Sequence, residues 1–522
     1  MAPRPKRRWS SGPSGAPDAQ LAAQPGGFSP PPATDPNPAG AGSGGDRSRR
    51  RRQEPPPVLQ AAGRGGGGAD LAGAPRIRVG DLPDAILQDI ISLLPTKEAG
   101  RTPVLSSRWR HLWRTAPLDL DCLQLPKELP ALAFDVSRIL AAHQGPGRSF
   151  CVDTRLFHAS PRTLDAWLRS PALDGLQELD MCGFRRQREL ASLPSLPPAT
   201  FRFSRSLRVA ALSECTISDA AAMAFRFPQM RKLELERVRI SEASLHQAIA
   251  GCPILECLLL GHSVGSRRVC IRSATLKTIG VCSALWGDDD GASTGIVEII
   301  IQDAPSLERL VFPEVHQGLR VSVIAGAAPR LETLGCIYDI DPSSRFVFGS
   351  MVIEQLRVVS SRSVVSGIKV LAINIFRLSL DMVIDLLMCF PCLETLYIQS
   401  YRSGGNNLWR RKHRNLLRSF DIRLKTIVFL RYRGIKSQVN FAQFFILNAR
   451  MLETMRLEGG HYMEDEVFIA RQHELLQVEN RASIGARIDF KMDKCDHYLT
   501  HIKHVHDLSI TDPFECTCVP IY

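Results

Sequence analysis

The chain has 522 residues, 44% hydrophobic and 23% charged, with 14 Cys and a net charge of +12. Residues 1–75 hold 10 Lys/Arg against 5 Asp/Glu, so five of those charges sit in the first seventh of the chain. The +7 left for the other 447 residues is too mild for a strongly basic nucleic-acid groove. No apolar run reaches the ~18 residues of a membrane helix, since the stretch Met382 to Leu393 is broken by Asp385 and Pro391.

The opening MAPRPKRRWS lacks the apolar stretch of a signal peptide. Cysteines scattered through a long chain imply reduced thiols, hence the nucleus or cytoplasm. Gly and Pro make up 28 of residues 1–75, a composition that predicts a disordered tail. Its basic runs, Arg4, Lys6, Arg7 and Arg8, then Arg47 and Arg49 to Arg52, suit nuclear import or an acidic polymer. Gly65 to Gly68 lacks the Gly-Lys-Ser/Thr of a phosphate loop.

Composition changes at Arg76. Leu82, Ile86, Leu87, Ile90, Leu93 and Leu94 fall within a ~140° arc at about 100° per residue, one apolar helix stripe. Pro83 and Asp84 suit its first turn, and Pro95 ends it. A second stripe joins Val104, Leu105, Trp109, Leu112 and Trp113, flanked by Arg101, Arg108, Arg110 and Arg114. Two helices of about three turns make no self-sufficient core. Their two tryptophans therefore predict a partner surface that covers them.

The string Asp81-Leu82-Pro83-Asp84-x-Ile86-Leu87, then Leu93-Leu94-Pro95-Thr96-Lys97-Glu98-Ala99, then Val104-Leu105-Ser106-x-Arg108-Trp109-x-x-Leu112-Trp113 resembles a plant F-box. The resemblance implies docking on a Skp-type adaptor, and through it a cullin-based ubiquitin ligase. It makes Leu82, Pro83, Ile86, Leu87, Ile90, Leu94, Pro95, Val104, Leu105, Arg108, Trp109, Leu112 and Trp113 the expected adaptor-binding set. Gly100 and Pro103 depart from the family pattern. A proline inside a helix costs roughly 3 kcal/mol and a glycine about 1, so Pro103→Ser is expected to strengthen docking. The cost shrinks if Thr102 caps a shortened helix with Pro103 at its first position.

Downstream, Leu-x-x-Leu-x-Leu-like triplets recur at Leu176, Leu207, Met230, Leu255, Leu276, Leu307, Leu331, Leu356, Leu393, Leu424 and Leu452. Their mean step of about 28 residues matches the leucine-rich period. Alternate side chains of each strand enter a stack with a broad exposed strand face, suited to a protein or peptide target. Four triplets follow a proline (Pro253, Pro305, Pro329 and Pro391) that is expected to end the preceding helix. From Leu424 a helix bearing Phe441, Phe444, Phe445 and Leu447 between Asn440 and Asn448 resembles the FBD region of plant F-box proteins. It is expected to cap the open solenoid end.

Three metal patterns are weak. Cys389 and Cys392 lack a second pair. Cys495, His497, His501, His504, His506, Cys516 and Cys518 are dense but better read as packing, and Asp288 to Gly291 lacks the other ligands of a calcium hand. No nucleophile context is recognisable, and no metal or cofactor is expected. The chain thus reads as α/β: a tail at 1–75, a small helical F-box module at 76–121, an irregular leucine-rich-repeat solenoid at 122–423, and an FBD-like region at 424–522. Its expected role is a non-catalytic receptor for an unknown target protein. The alternative is a nuclear scaffold with a basic nucleic-acid-binding tail.

Overall fold

The computed structural model describes residues 79–182, 193–282, 295–314, 318–339, 343–360, 364–402, 405, 407–408, 421–493 and 499–516. The tail, the acidic stretch Asp288 to Gly291, and Cys495, His497 and Cys518 lie outside the described residues.

The first helix runs Asp84–Leu93 behind Pro83. Leu94 turns extended, with ψ at 146°, as a residue before proline must. A four-residue helix Thr96–Ala99 and a 3-10 turn Thr102–Val104 follow. The next helix, Ser107–Thr115, starts behind Ser106, whose hydroxyl accepts the Trp109 amide at 3.4 Å. Val104 and Leu105 thus precede the second helix rather than belonging to its stripe, a correction to the periodicity. Pro103 sits in the first turn of a 3-10 segment, where no amide is required of it. The expected gain from Pro103→Ser therefore disappears. Thermal unfolding should place that variant within about 0.5 kcal/mol of wild type.

The rest is built on one sheet of fourteen strands, all pairs parallel, from Leu118–Asp121 to Arg487–Met492. Ten of the eleven predicted triplets lie on its strands, and residues such as Leu258, Leu260, Ile279 and Val281 are buried in the main core. The Leu331 triplet slips: register shifts between Leu334 and Ile337, so Ile337 enters the core and Cys336 faces the opposite side. The Leu356 triplet is misplaced. Val359 is 62% exposed on Arg357–Ser360, an antiparallel edge strand of a second sheet. The true anchor is Ile368, Leu371 and Ile373 on Val370–Arg377.

Behind the long sheet the returning segments are helices at both ends, among them Leu129–Ala142, Glu242–Ala250 and Leu380–Cys389. Between Arg268 and Ser360 they are strands of a six-stranded sheet. Just before the five strands from Thr333–Tyr338 to Thr454–Gly459 the backbone ladder carries Glu332, Lys369, Glu394, Lys425 and Glu453 in alternation. Lys369 pairs with Glu332 at 2.8 Å and Lys425 with Glu394 at 2.9 Å. Glu256, Glu332 and Glu394, each the Glu of a Pro-x-Leu-Glu, thereby find basic partners in Arg231 and Lys277, Lys369, and Lys425.

The FBD-like helix runs Lys436–Asn448, beginning four residues before the expected Asn440 boundary. Phe441, Phe444, Phe445 and Ile446 are buried, whereas Leu447 is half-buried. The strands Thr426–Leu430, Thr454–Gly459 and Arg487–Met492 continue the sheet to its end. Among the described residues no helix is long and apolar enough to cross a membrane.

Candidate docking site

The helical module holds a small core of Leu87, Ile91, Leu112 and Ala116, against which Leu82, Ile90, Trp109 and Trp113 pack half-buried. Arg108 clamps the entry to this pair of helices. Its guanidinium donates to Asp84 Oδ1 at 2.6 Å and to the Leu82 carbonyl at 2.6 Å. Gln88 Nε2 donates to Thr115 Oγ1 at 2.8 Å, joining the helices at their other end.

One side of the module abuts the solenoid. Trp113 meets the His143 ring edge-on with centroids 5.6 Å apart, and Asp121 N donates to Thr96 Oγ1 at 2.8 Å. His143 lies 2.8 Å through Nε2 from the Ala116 carbonyl, and burial holds its pKa down. Leu94 and Trp113 line a cavity of about 400 Å³ at this junction, shared with Ile139 and His143. The expectation that an outside partner must cover both tryptophans is thereby corrected for Trp113, which the chain's own Ile139 and His143 help to cover, while Trp109 packs half-buried on the module's core. What stays open is aliphatic. Ile86 is 46% exposed, Leu93 78%, Val104 87% and Leu105 66%. Ile86 and Leu93 fall on one line along the first helix. Pro83, Pro95 and Arg108 are also exposed. The predicted set therefore divides into a buried pair (Leu87, Leu112), packed members (Leu82, Ile90, Leu94, Trp109, Trp113) and an open band.

The second candidate surface was the strand face opposite the core. One outward row crosses the sheet as Asp121, Cys151, Asp180, Ala211, Glu234, Leu259, Gly280 and Val311. That face is not free at its centre. Residues 499–516 lie across it, burying Leu499, Ile502, Val505, Leu508 and Phe514 against Val209, Leu259, Val311, Tyr338, Tyr397 and Val428. We call this segment the strap. A Cβ on Gly280 would sit 3.1 Å from a Leu508 methyl, so glycine lets the strap approach.

Polar contacts fix the strap at intervals. The Val505 amide donates to Glu234 Oε2 at 2.7 Å, and Arg309 donates to the Ile510 carbonyl at 2.5 Å. Tyr397 OH donates to Asp512 at 2.8 Å, and Arg456 grips Glu515 with two bonds of 2.9 and 2.7 Å. Burial pushes the Glu234 carboxyl up to about 7, against the pull of His504 and the Val505 amide. Sequence reading singled out His504 and His506 as dense, but not their partners. The two rings stack at 4.9 Å, with His504 Nε2 3.6 Å from Asp180 and from Glu234. The thiols of Cys215 and Cys252, each pushed up to about 12 by burial, are packing groups.

Nearby, His262 bridges Glu236 at 3.0 Å and Glu314 at 2.9 Å. Burial alone would lower its pKa, but the two carboxylates outweigh it and raise it to about 9. A folded value above the unfolded one means this stability is complete below about pH 6.5 and fades as pH rises towards 9. The shift corresponds to about 3 kcal/mol. His262→Gln should therefore flatten the fall in melting temperature between those pH values. An unchanged slope would mean the bridge contributes nothing.

Comparison with known proteins matches the same three regions. The F-box domain model covers residues 80–121. The model for the LRR repeats of FBD-associated F-box protein At5g56370 covers 164–398, and the FBD model covers 413–457. In Arabidopsis thaliana, the putative F-box/LRR-repeat protein At3g18150 is 28% identical over 213 residues, 40% of this chain and 43% of the relative. The F-box/FBD/LRR-repeat protein At5g56420 is 29% identical over 245 residues, covering 45% and 54%. The putative F-box/FBD/LRR-repeat protein At5g44950 is 26% identical over 333 residues, covering 62% and 69%. The chain thus spans about half the length of the first two relatives. Helical module, parallel-strand solenoid and matched models agree: the chain carries F-box, leucine-rich-repeat and FBD regions in the order of the Arabidopsis F-box/FBD/LRR-repeat proteins it is similar to.

Proposed function

We propose that the chain is the substrate-recognition subunit of a ubiquitin ligase of the Skp–cullin–F-box type. The observation that carries this reading is the aliphatic band of Ile86, Leu93, Val104 and Leu105, left open on a module whose other side is tied to the solenoid. Solvent-exposed aliphatic side chains grouped on one small module mark a docking surface. The helical module docks the Skp-type adaptor and the solenoid holds the target protein. Ubiquitin transfer then occurs on another subunit, and this chain supplies proximity through effective concentration. The chain works in the nucleus, the cytoplasm or both.

The solenoid's target surface is its rims or the uncovered ends of the strand face, because the strap occupies the centre. Mixing the purified chain with recombinant plant Skp-type adaptor and resolving the mixture by size exclusion tests the first half. A stoichiometric complex supports the reading, and two separate peaks at micromolar concentration refute it. Affinity purification from plant cells under proteasome inhibition then tests whether a protein accumulates on the solenoid.

A further inference from the structure

The outward row of the sheet brings together residues that sequence order separates. Cys151 on Gly147–Asp153 pairs with Asp180 on Glu178–Cys182, and Cys182 lies two residues farther along on the same face. Among the described residues, Cys151, Asp180 and Cys182 form the one group of three such side chains with ligand atoms all within 4.8 Å of one another. The two sulfurs are 2.9 Å apart, and Cys182 Sγ also reaches the Val152 carbonyl at 3.4 Å.

Strand geometry argues against a cross-link here. One strand spacing of about 4.8 Å combined with two residues of about 3.3 Å puts the two Cα atoms roughly 8 Å apart. That exceeds the ~7 Å a disulfide spans without moving backbone. A shared cation fits better. Two thiolates at ~2.3 Å from one zinc lie about 3.7 Å apart, which a small rotation of either side chain supplies.

We propose that Cys151, Cys182 and Asp180 bind a zinc-class divalent cation, with water at the fourth position. Both thiols release their protons to solvent as the cation enters. Asp180 and Cys182 open onto a cavity of about 140 Å³ whose wall carries both acidic side chains (Glu214, Glu234) and basic ones (Arg237, Lys503), so access comes from the cavity and affinity from the three ligands. His504 positions Asp180 from outside. Its Nδ1 accepts the His506 amide at 3.3 Å, so Nε2 carries a proton that lies between the carboxylates of Asp180 and Glu234, 3.6 Å from each. That arrangement, a carboxylate ligand oriented by a second residue, is a common outer shell of zinc sites. Because His504 belongs to the strap, cation and strap hold each other in place.

The test uses the full chain, purified in reductant and stripped of metal, then titrated with Co(II). The expected result is a thiolate-to-cobalt charge-transfer band that saturates at equimolar metal. It disappears in Cys151→Ser and in Cys182→Ser, and survives in Cys389→Ser and Cys392→Ser. His504→Ala should weaken binding by about 10-fold or more. In the wild-type chain, added zinc should also shield Cys151 and Cys182 from alkylation, a readout that does not depend on any variant folding. Absence of the band overturns the proposal. So does a band that persists undiminished in Cys151→Ser or in Cys182→Ser, or alkylation indifferent to zinc. None of these outcomes bears on adaptor docking, which uses the other end of residues 79–182.

Discussion

Leu105→Asp, alone or with Val104→Asp, should abolish capture of the Skp-type adaptor while leaving the melting temperature of the free chain unchanged. Val104 is 87% exposed and Leu105 66%, Val104 closing the 3-10 turn Thr102–Val104 and Leu105 following it, both ahead of the helix Ser107–Thr115. A charge there touches water in the free chain, so folding does not register it. Docking is another matter. Each aliphatic side chain stands to gain about 1.5–3 kcal/mol on full burial, and an unpaired carboxylate in its place adds a desolvation cost of several kcal/mol. Together these exceed ~4 kcal/mol, a loss of about 1,000-fold or more in affinity. Leu112→Ala supplies the contrast. Leu112 is 1% exposed in the module's own core, so its truncation costs about 2–5 kcal/mol of stability and weakens docking only by unfolding the module. Calorimetric titration of both variants against the adaptor, beside their unfolding curves, separates the two effects. Undiminished affinity in Leu105→Asp would remove the band from the docking surface.

How much of this the sequence disclosed depends on the range of the interactions involved. The first helix was legible because Leu87 and Ile90 share the 3.6-residue stripe and Pro95 marks its end, although Ile91, buried beside Leu87, falls just outside that stripe. The second stripe blurred because Val104 and Leu105 continue its period by coincidence, while Ser106, the true cap, gives only a local signal. Strands were legible where burial on the core side repeats at i, i+3 and i+5. The same rule misled at Leu356, since an exposed antiparallel edge strand satisfies two of the three positions. The strands Leu118–Asp121 and Gly147–Asp153 went unread because their core residues come as Leu118/Leu120 and Phe150/Val152 without the preceding Leu. The docking of the strap on the sheet could not be read. Val505 bonds Glu234 across 271 residues, and Arg309 bonds Ile510 across 201. The density of His and Cys near the end was visible, but not that Asp180 and Glu234 face it. Nor could periodicity reveal that the chain covers part of its own strand face.

That self-coverage makes the second large effect predictable. Phe514 is 2% exposed, with its ring 5.5 Å from that of Tyr397. Truncation of a buried Phe to Ala costs about 3–5 kcal/mol in a single cooperative core. The strap, however, is buried in a cluster separate from the main core. It can leave the sheet while the sheet stays folded, so the cost is capped at the free energy of local undocking. Phe514→Ala should therefore raise amide exchange throughout residues 499–516 by a factor of 100 or more, roughly 3 kcal/mol. Strands such as Cys257–Gly261 and Thr395–Arg402 should keep their protection in their core-facing bonds. Adding Leu508→Ala should change little further, because a detached strap has no contacts left to lose. Undocking also bares Val209, Leu259, Val311, Tyr338 and Val428 as one apolar strip, which should show as dye binding and concentration-dependent association. Hydrogen-exchange mass spectrometry of the single and double variants decides the matter. If protection falls together in the strap and in the central strands, the strap is part of the folding core. If it falls in the strap alone, the strand face has a removable cover, and a target that needs that face must compete with Phe514 and Leu508 for it.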